Sequence, residues 1–261
     1  GPSLLLAAAA QADAELAAVA GFPRHADRWR ALAARVRAAA DRVFWDETAG
    51  RYAGARGADG KPLYHHPLFD LYALRHGLTP EARRQQALAL LTTELGPERA
   101  RRDDWPCSLL GSYHHLLEVF FAAGQDRVAV ALLRVLFGAW LEHGGTAMPE
   151  NGKPADLAAG RIGGDTEIHA YGLGGLPVFH TRILGVQTVQ PGSRRIRVAP
   201  SPGDLEWAEG DTVTPAGRVH VAWRLKDGTF DCQVTPPDGV EVEIVTPAGT
   251  VPGSAGKKAT F

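Results

Sequence analysis

Apolar residues recur at helical spacing from residue 4 to about residue 185, and at every second position beyond it. In the first stretch Trp29, Leu32, Ala33, Val36, Ala40 and Val43 fall on one face, and Arg28, Arg30, Arg35, Arg37 and Arg42 lie off it. That is the pattern of a helix with one buried stripe. Pro23 suits the opening turn of this helix, where its missing N–H is not needed. Leu109, Tyr113, Leu116, Leu117 and Phe120 repeat the spacing, as do Val128, Leu132, Val135, Leu136 and Ala139. Further helices are predicted near 4–20, 66–76, 80–95 and 167–184, punctuated by Gly21, Gly77, Gly96, Gly124 and Gly144-Gly145. About seven helices result. Helical hairpins packed side by side explain their short and longer connections, with a free-standing α-bundle as the alternative.

After Gly185 the period is two. Val219, Val221, Trp223 and Leu225 alternate with Arg218, His220, Ala222 and Arg224; Phe230, Cys232 and Val234 alternate with Asp231 and Gln233; Val240, Val242 and Ile244 alternate with Glu241 and Glu243. Turns at Pro191-Gly192, Pro202-Gly203, Pro215-Ala216-Gly217 and Pro237-Asp238-Gly239 separate short strands, predicting an antiparallel sandwich. The boundary is expected near 185–192, dividing residues 1–185 from 186–261. The tail after Pro247, rich in Gly, Ser and Lys, is expected to fray.

Composition narrows the function. A formal net charge of -1 over 261 residues disfavours nucleic acid or an anionic membrane surface as partner and leaves neutral ligands such as sugars open. No stretch is long and apolar enough to span a bilayer. The chain has no Gly-rich phosphate loop, nucleophile elbow or basic–aromatic stripe, so no cofactor is implied. Cys107 and Cys232 form no CxxC pair and read as buried thiols, which leaves the compartment undecided. The opening Leu/Ala run lacks Met and a basic start and is read as a helix of the fold; Gly1-Pro2, already inside a helical pattern, is expected to mark a fragment boundary.

Several segments carry a family likeness. Ile183-Leu184-Gly185-Val186, Pro191-Gly192-Ser193 and Ile196-Arg197-Val198-Ala199-Pro200 are similar to a junction found in α-L-rhamnosidases. So are Asp204-Leu205-Glu206-Trp207-Ala208-Glu209-Gly210, Thr214-Pro215-Ala216-Gly217 and Val219-His220-Val221-Ala222-Trp223. Phe44-Trp45-Asp46-Glu47 with Gly50-Arg51-Tyr52, the Gly-rich loop Gly144-Gly145-Thr146-Ala147-Met148-Pro149-Glu150, and Thr166-Glu167-Ile168-His169-Ala170-Tyr171 resemble family segments in the same order. The resemblance implies an α+β fold: a partial α/α six-hairpin (toroid) barrel of about seven helices, followed by a C-terminal antiparallel β-sandwich. It also implies an inverting glycoside hydrolase that releases terminal α-L-rhamnose, with a rhamnose-containing glycoside or oligosaccharide as partner. Two positions depart from the family, which usually has Trp where this chain has Pro149 and Tyr171. Aromatic contacts to the sugar are therefore expected to differ.

Inversion at an anomeric carbon needs one carboxyl group to protonate the leaving oxygen and a second, farther off, to activate water. On the resemblance Glu150 is the general base; on loop position alone it reads as a solvated glutamate. His169 would bond a sugar hydroxyl, which its ring suits because it carries one donor and one acceptor; the alternative is a core histidine at a helix start. Asp165 and Glu167 flank it as competing carboxylates. Trp105 is a sugar platform or a core tryptophan, and Tyr171 a sugar contact. Trp29, Trp45 and Trp223 are assigned to packing. His114, His115 and Glu118 lack a visible third ligand and second-shell support, and His65-His66 reads as loop, so no metal site is expected.

About seven helices fall short of six hairpins, and the family's acidic cluster with its general acid has no counterpart before residue 41. The expectation is a chain that carries the base side of a site, is inactive by itself, exposes apolar helix faces and has the missing N-terminal part of the barrel as a partner. The competing readings are another six-hairpin glycosidase and a non-catalytic carbohydrate- or partner-binding module.

Overall fold

Alanine spacing sets the geometry of the first helical pair. In the computed structural model, which describes residues 2–107, 113–142, 144–147, 153–161, 168–169, 174–246, 249–253 and 258–260, α1 (Pro2–Val19) and α2 (Pro23–Phe44) pack against each other. They bury Ala7, Ala10 and Ala14 on one helix and Ala26, Ala33 and Ala40 on the other. Such small side chains let two backbones approach closely, at the cost of burying little apolar area each. Gly21 makes the reversal with φ +81°, the left-handed conformation that ends helices. Leu5, Leu6, Leu16 and Val19 stay exposed on α1. By its contacts the chain falls into two compact units, residues 1–108 and 109–261.

The first unit contains a small sheet that the helical pattern did not anticipate. Strands β1 (Trp45–Asp46), β2 (Arg51–Arg56) and β3 (Pro62–His65) form an antiparallel three-stranded sheet between α2 and α3 (Pro67–Arg75). Its signals were the glycine-bearing reversals, Ala49-Gly50 and Ala58-Asp59-Gly60, which flank six residues of strand. Helix α4 (Glu81–Leu95) and the short α5 (Pro97–Ala100) complete the unit. Trp45, Tyr52, Ala73 and Leu78 share a core cluster with Ala7 and Ala40.

Polar side chains lock this sheet to the helices. Asp70 on α3 is 0% exposed, and its carboxylate accepts from the Tyr52 N–H at 2.9 Å and from the Arg51 guanidinium at 3.1 Å. Arg51 donates to Glu94 on α4 at 2.8 Å as well. Burial pushes the Asp70 carboxyl above its ordinary range, although the Tyr52 N–H and Arg51 pull the other way. Tyr52 donates to Asp41 at 2.7 Å, Arg83 bridges Asp41 and Glu47, and its guanidinium lies 4.2 Å over the Trp45 ring.

In the second unit α6 (Tyr113–Ala122) and α7 (Asp126–Glu142) bury Tyr113, Leu116, Leu117, Phe120, Leu132, Val135 and Leu136 of the stripes predicted for them, while Val128 and Ala139 are half-buried. Leu109 lies outside the described residues. The helix expected over 167–184 is shorter. Among the described residues helical structure begins at α9 (Leu176–Val178) and runs into a π turn at Phe179–Ile183, closed by the Leu184 N–H on the Phe179 carbonyl at 2.8 Å. A five-residue helix, α8 (Pro154–Ala158), lies between.

Strands begin at β4 (Val186–Thr188), where the period changes. One sheet has the order β10-β9-β5-β4 and the other β11-β8-β7-β6, with β5 at Arg195–Val198, β6 at Trp207–Thr214, β7 at Gly217–Lys226, β8 at Thr229–Thr235 and β9 at Glu241–Thr246. Two expectations need correction. The pairing is not wholly antiparallel, because β5 runs parallel to β9: the meander β6–β7–β8 in the other sheet separates them in the chain and returns β9 in the same direction. Nor is the tail simply frayed, since β10 (Gly249–Gly253) pairs with β9 and β11 (Lys258–Thr260) with β8, satisfying backbone groups that would otherwise be sheet edges. The β7–β8 hairpin turns on Asp227-Gly228, φ 50° and 78°, the positive pair that a tight two-residue turn requires.

Helices and sheets of this unit are stapled together. The Trp223 indole donates to the Ile183 carbonyl at 2.8 Å, Arg134 on α7 pairs with Asp204, and Gly203 sits so close to Val130 that a Cβ there would overlap it. Contacts divide the chain after residue 108, and the change of period at 185 falls within the second unit.

Asp70→Ala should be the costly surgical change in the first unit. It leaves the Tyr52 N–H without its acceptor and Arg51 with Glu94 alone, and a loss of about 1–3 kcal/mol is expected from urea unfolding. A loss within about 0.5 kcal/mol, typical of surface substitutions, would contradict the packing described.

Candidate active site

Two aromatic side chains frame the segment on which the site residues sit. The Trp140 indole, in the last turn of α7, donates to the Ala147 carbonyl at 2.9 Å, and the Gly145 N–H donates back to the Trp140 carbonyl at 3.0 Å. A Cβ at Gly145 would overlap the Trp140 ring, so the second glycine of the Gly-rich loop is there for close approach rather than flexibility. At the other end the Gly175 N–H donates to the buried Tyr113 hydroxyl at 3.0 Å, and a Cβ at Gly175 would press on Tyr113 and Phe137. Phe137 in turn makes edge contacts with Tyr113 and Phe179. The chain from Ala147 to Gly175 is thus tied at both ends to α6 and α7.

Within that span Glu150 and Tyr171 lie outside the described residues, as do Pro149, Asp165 and Glu167. His169 is half-buried, beside an exposed Ile168, and belongs to neither helix nor strand. It does not open a helix as the spacing suggested; among the described residues after it, helical structure starts at Leu176. Trp140 was missed in the sequence, where it stands at the end of an apolar stripe. The Gly-Gly pair five residues on was the available signal.

Trp105 is a correction. It is 0% exposed and its indole donates to the Leu95 carbonyl at 3.3 Å, so it is the core tryptophan of the first unit. A covered ring has no face to offer a pyranose. The Phe44–Tyr52 segment is likewise committed to structure: Asp46 accepts from the Thr48 and Ala49 N–H groups and pairs with His65 at 2.9 Å, which holds its carboxyl below the usual range against the effect of desolvation. Trp45 and Trp223 are buried in packing, as assigned, and Trp29 is half-buried. Glu118 is spoken for by Arg182 at 2.7 Å, so the His-His-Leu-Leu-Glu run is a structural face of α6. Among the described residues no group of three or more His, Cys, Asp or Glu side chains is placed to hold a metal ion. No helix among them is long and apolar enough to cross a membrane.

Comparison with known proteins finds two family matches, one towards each end of the chain. Residues 185–261 match the family model of the bacterial α-L-rhamnosidase C-terminal domain, and residues 3–98 that of the mannosylglycerate hydrolase MGH1-like glycoside hydrolase domain. Each stretch thus resembles part of a glycoside hydrolase, and residues 99–184 lie outside both matches. The chain is similar to α-L-rhamnosidases. A curated α-L-rhamnosidase of Alteromonas sp. (strain LOR) is 30% identical over 140 residues, 51% of this chain and 15% of that protein. Among solved structures, a GH78 family rhamnosidase of Bacillus sp. GL1 superposes with a TM-score of 0.79 at 24% identity, covering 94% of this chain and 26% of that one. The Streptomyces avermitilis α-L-rhamnosidase, solved with L-rhamnose, gives 0.75 at 20%, covering 99% and 26%. That of Dictyoglumus thermophilum gives 0.73 at 21%, covering 90% and 25%. The chain spans about a quarter of these structures' length and less of the curated relative. The α+β fold is shared with them.

Tyr113→Phe should leave the Gly175 N–H buried without its acceptor and cost about 1–3 kcal/mol in denaturant unfolding; an unchanged midpoint would mean that the hydroxyl does not hold this segment. Burial alone pushes the Cys107 thiol up to about 12 and the Cys232 thiol up to about 11. At pH 8 both stay protonated, so neither should react with a disulfide reagent until the chain is unfolded, when both titrate. Rapid labelling of the native chain would refute their burial.

Proposed function

We propose that this chain is the water-activating part of an inverting glycoside hydrolase acting on terminal α-L-rhamnose, with Glu150 as general base and His169 and Tyr171 as sugar contacts. On this reading residues 1–185 are a portion of an α/α six-hairpin barrel, and residues 186–261 are its C-terminal β-sandwich domain. The observation that carries it is the tethering of the Ala147–Gly175 span at Trp140 and Tyr113: it holds a loop ending in a carboxylate and a segment bearing an imidazole between fixed points on two neighbouring helices. The family matches at both ends of the chain support the assignment.

The proton donor would come from the barrel hairpins preceding this stretch. The exposed Leu5, Leu6, Leu16 and Val19 on α1 form the apolar surface those hairpins would cover. His169 would donate to or accept from a sugar hydroxyl in the ground state and the transition state alike, so its loss should weaken binding. Glu150 would deprotonate water only as the glycosidic bond breaks, so its loss should fall on turnover.

Joined to an upstream α-L-rhamnosidase barrel segment, the chain should hydrolyse an aryl α-L-rhamnoside. Glu150→Ala should lower kcat about 10²–10⁴-fold with KM nearly kept, and His169→Ala should chiefly raise KM. The chain by itself should give no hydrolysis. Full turnover by the isolated chain, or by the Glu150→Ala fusion, overturns the assignment. The mannosylglycerate hydrolase-like match over residues 3–98 favours a second reading, another six-hairpin glycosidase of shifted specificity. In a panel of aryl glycosides that reading predicts a preferred substrate other than the rhamnoside.

A further inference from the structure

The outer face of the β11-β8-β7-β6 sheet carries a second feature suited to a saccharide, remote in sequence from Glu150 and His169. Side chains alternate strictly across this sheet: Val219, Val221, Trp223, Phe230, Cys232 and Val234 point inward, and their neighbours point to solvent. The register aligns two outward rows, Trp207–Arg224–Asp231 and Glu209–Ala222–Gln233. Strands lie about 4.8 Å apart and alternate residues about 6.8 Å apart, so these six side chains surround a patch of roughly one sugar ring. Ala222, the smallest of them, leaves its centre low, and a depression of about 240 Å³ opens there with all six in its lining.

Trp207 is the anomaly on this face. It is 60% exposed, on the edge strand β6, although nothing about the strand's pairing requires an aromatic residue there. An indole left in water next to a polar depression fits a ligand that is apolar on one side and rich in hydroxyls on the other. Around it Glu209 and Asp231 accept hydrogen bonds, Arg224 donates them and Gln233 does both. Of the six, two are carboxylates and one a guanidinium, which disfavours an anionic sugar at their centre; Lys258 of β11 stands one strand further along the Gln233 row.

We propose that this face is an accessory binding site for a neutral pyranose: the ring's C–H side stacks on Trp207, and its hydroxyls meet Glu209, Arg224 and Gln233. The site is independent of the Glu150 reading. It would hold the chain on a saccharide without taking part in bond cleavage.

The test is NMR of the full 261-residue chain labelled with ¹⁵N, titrated with methyl α-L-rhamnopyranoside, methyl β-D-glucopyranoside and D-galacturonate. The Trp207 indole N–H signal, identified as the one missing in Trp207→Ala, should move saturably at millimolar concentrations of at least one neutral glycoside. The uronate should move it at least several-fold less. The Trp223 indole, bonded to Ile183 on the opposite face, should stay still and serve as the internal reference. Trp207→Phe should weaken the effect, and Trp207→Ala should remove the remaining saccharide-dependent shifts of the Gln233 and Arg224 side chains. Both variants should retain the wild-type spectrum elsewhere. A Trp207 signal indifferent to both neutral glycosides overturns the proposal, as does binding that survives Trp207→Ala. Concentration-dependent broadening of this face without sugar would instead mark it as a contact between copies of the chain, and equally overturns it.

Discussion

Two hydrogen bonds to aromatic side chains, Trp140 to the Ala147 carbonyl and the Gly175 N–H to Tyr113, constrain everything proposed for the site. A catalytic loop must be free enough to admit a sugar and fixed enough to hold a carboxylate within a fraction of an ångström of its water. Anchoring the two ends of the span, at Ala147 and Gly175, on packed helices is a physical solution to that conflict. The glycines at the anchors serve closeness: a side chain at Gly145 or Gly175 would push the loop off the ring that holds it.

A comparable economy runs through the rest of the chain. Asp46, Glu47 and Arg51 of the Phe44–Tyr52 segment could have been mistaken for catalytic groups. They are consumed in fixing a small sheet to three helices, with Asp70 wholly buried and Arg51 shared between two carboxylates. Such a network stabilises little by itself, because desolvation offsets most of the attraction, but removing one partner leaves a stranded charge. It sets register more than it adds stability. In the second unit the Trp223–Ile183 bond and the Arg134–Asp204 pair do similar work between helix and sheet.

Where burial is periodic, the sequence was legible. The alternation in β7 to β9 and most of the stripes of α6 and α7 were readable because one face meets a core and the other meets water; on α2 only Ala33 and Ala40 of the predicted stripe are buried, and Val43 is exposed. It was less legible where structure depends on partners distant in the chain. The β1–β3 sheet, the parallel β5–β9 pair and the paired tail strands β10 and β11 have no local signature strong enough to announce them, since strand pairing is decided by what lies alongside. Trp105 illustrates the same limit at a single residue. An indole beside Asp103-Asp104 and Pro106 suits a platform or a core equally, and only the Leu95 carbonyl that takes its N–H decides. Of the site, the Gly-rich loop was visible and the tryptophan that fixes it was not.

The idea that these helices support one sugar-sized hollow is tested most directly by a crystal structure, with L-rhamnose bound, of the chain joined to an upstream barrel segment. A single pyranose with the Glu150 carboxylate and the His169 ring both within hydrogen-bond reach, directly or through one water, is the expected result. A sugar bound elsewhere, or those two side chains facing separate surfaces, would contradict it.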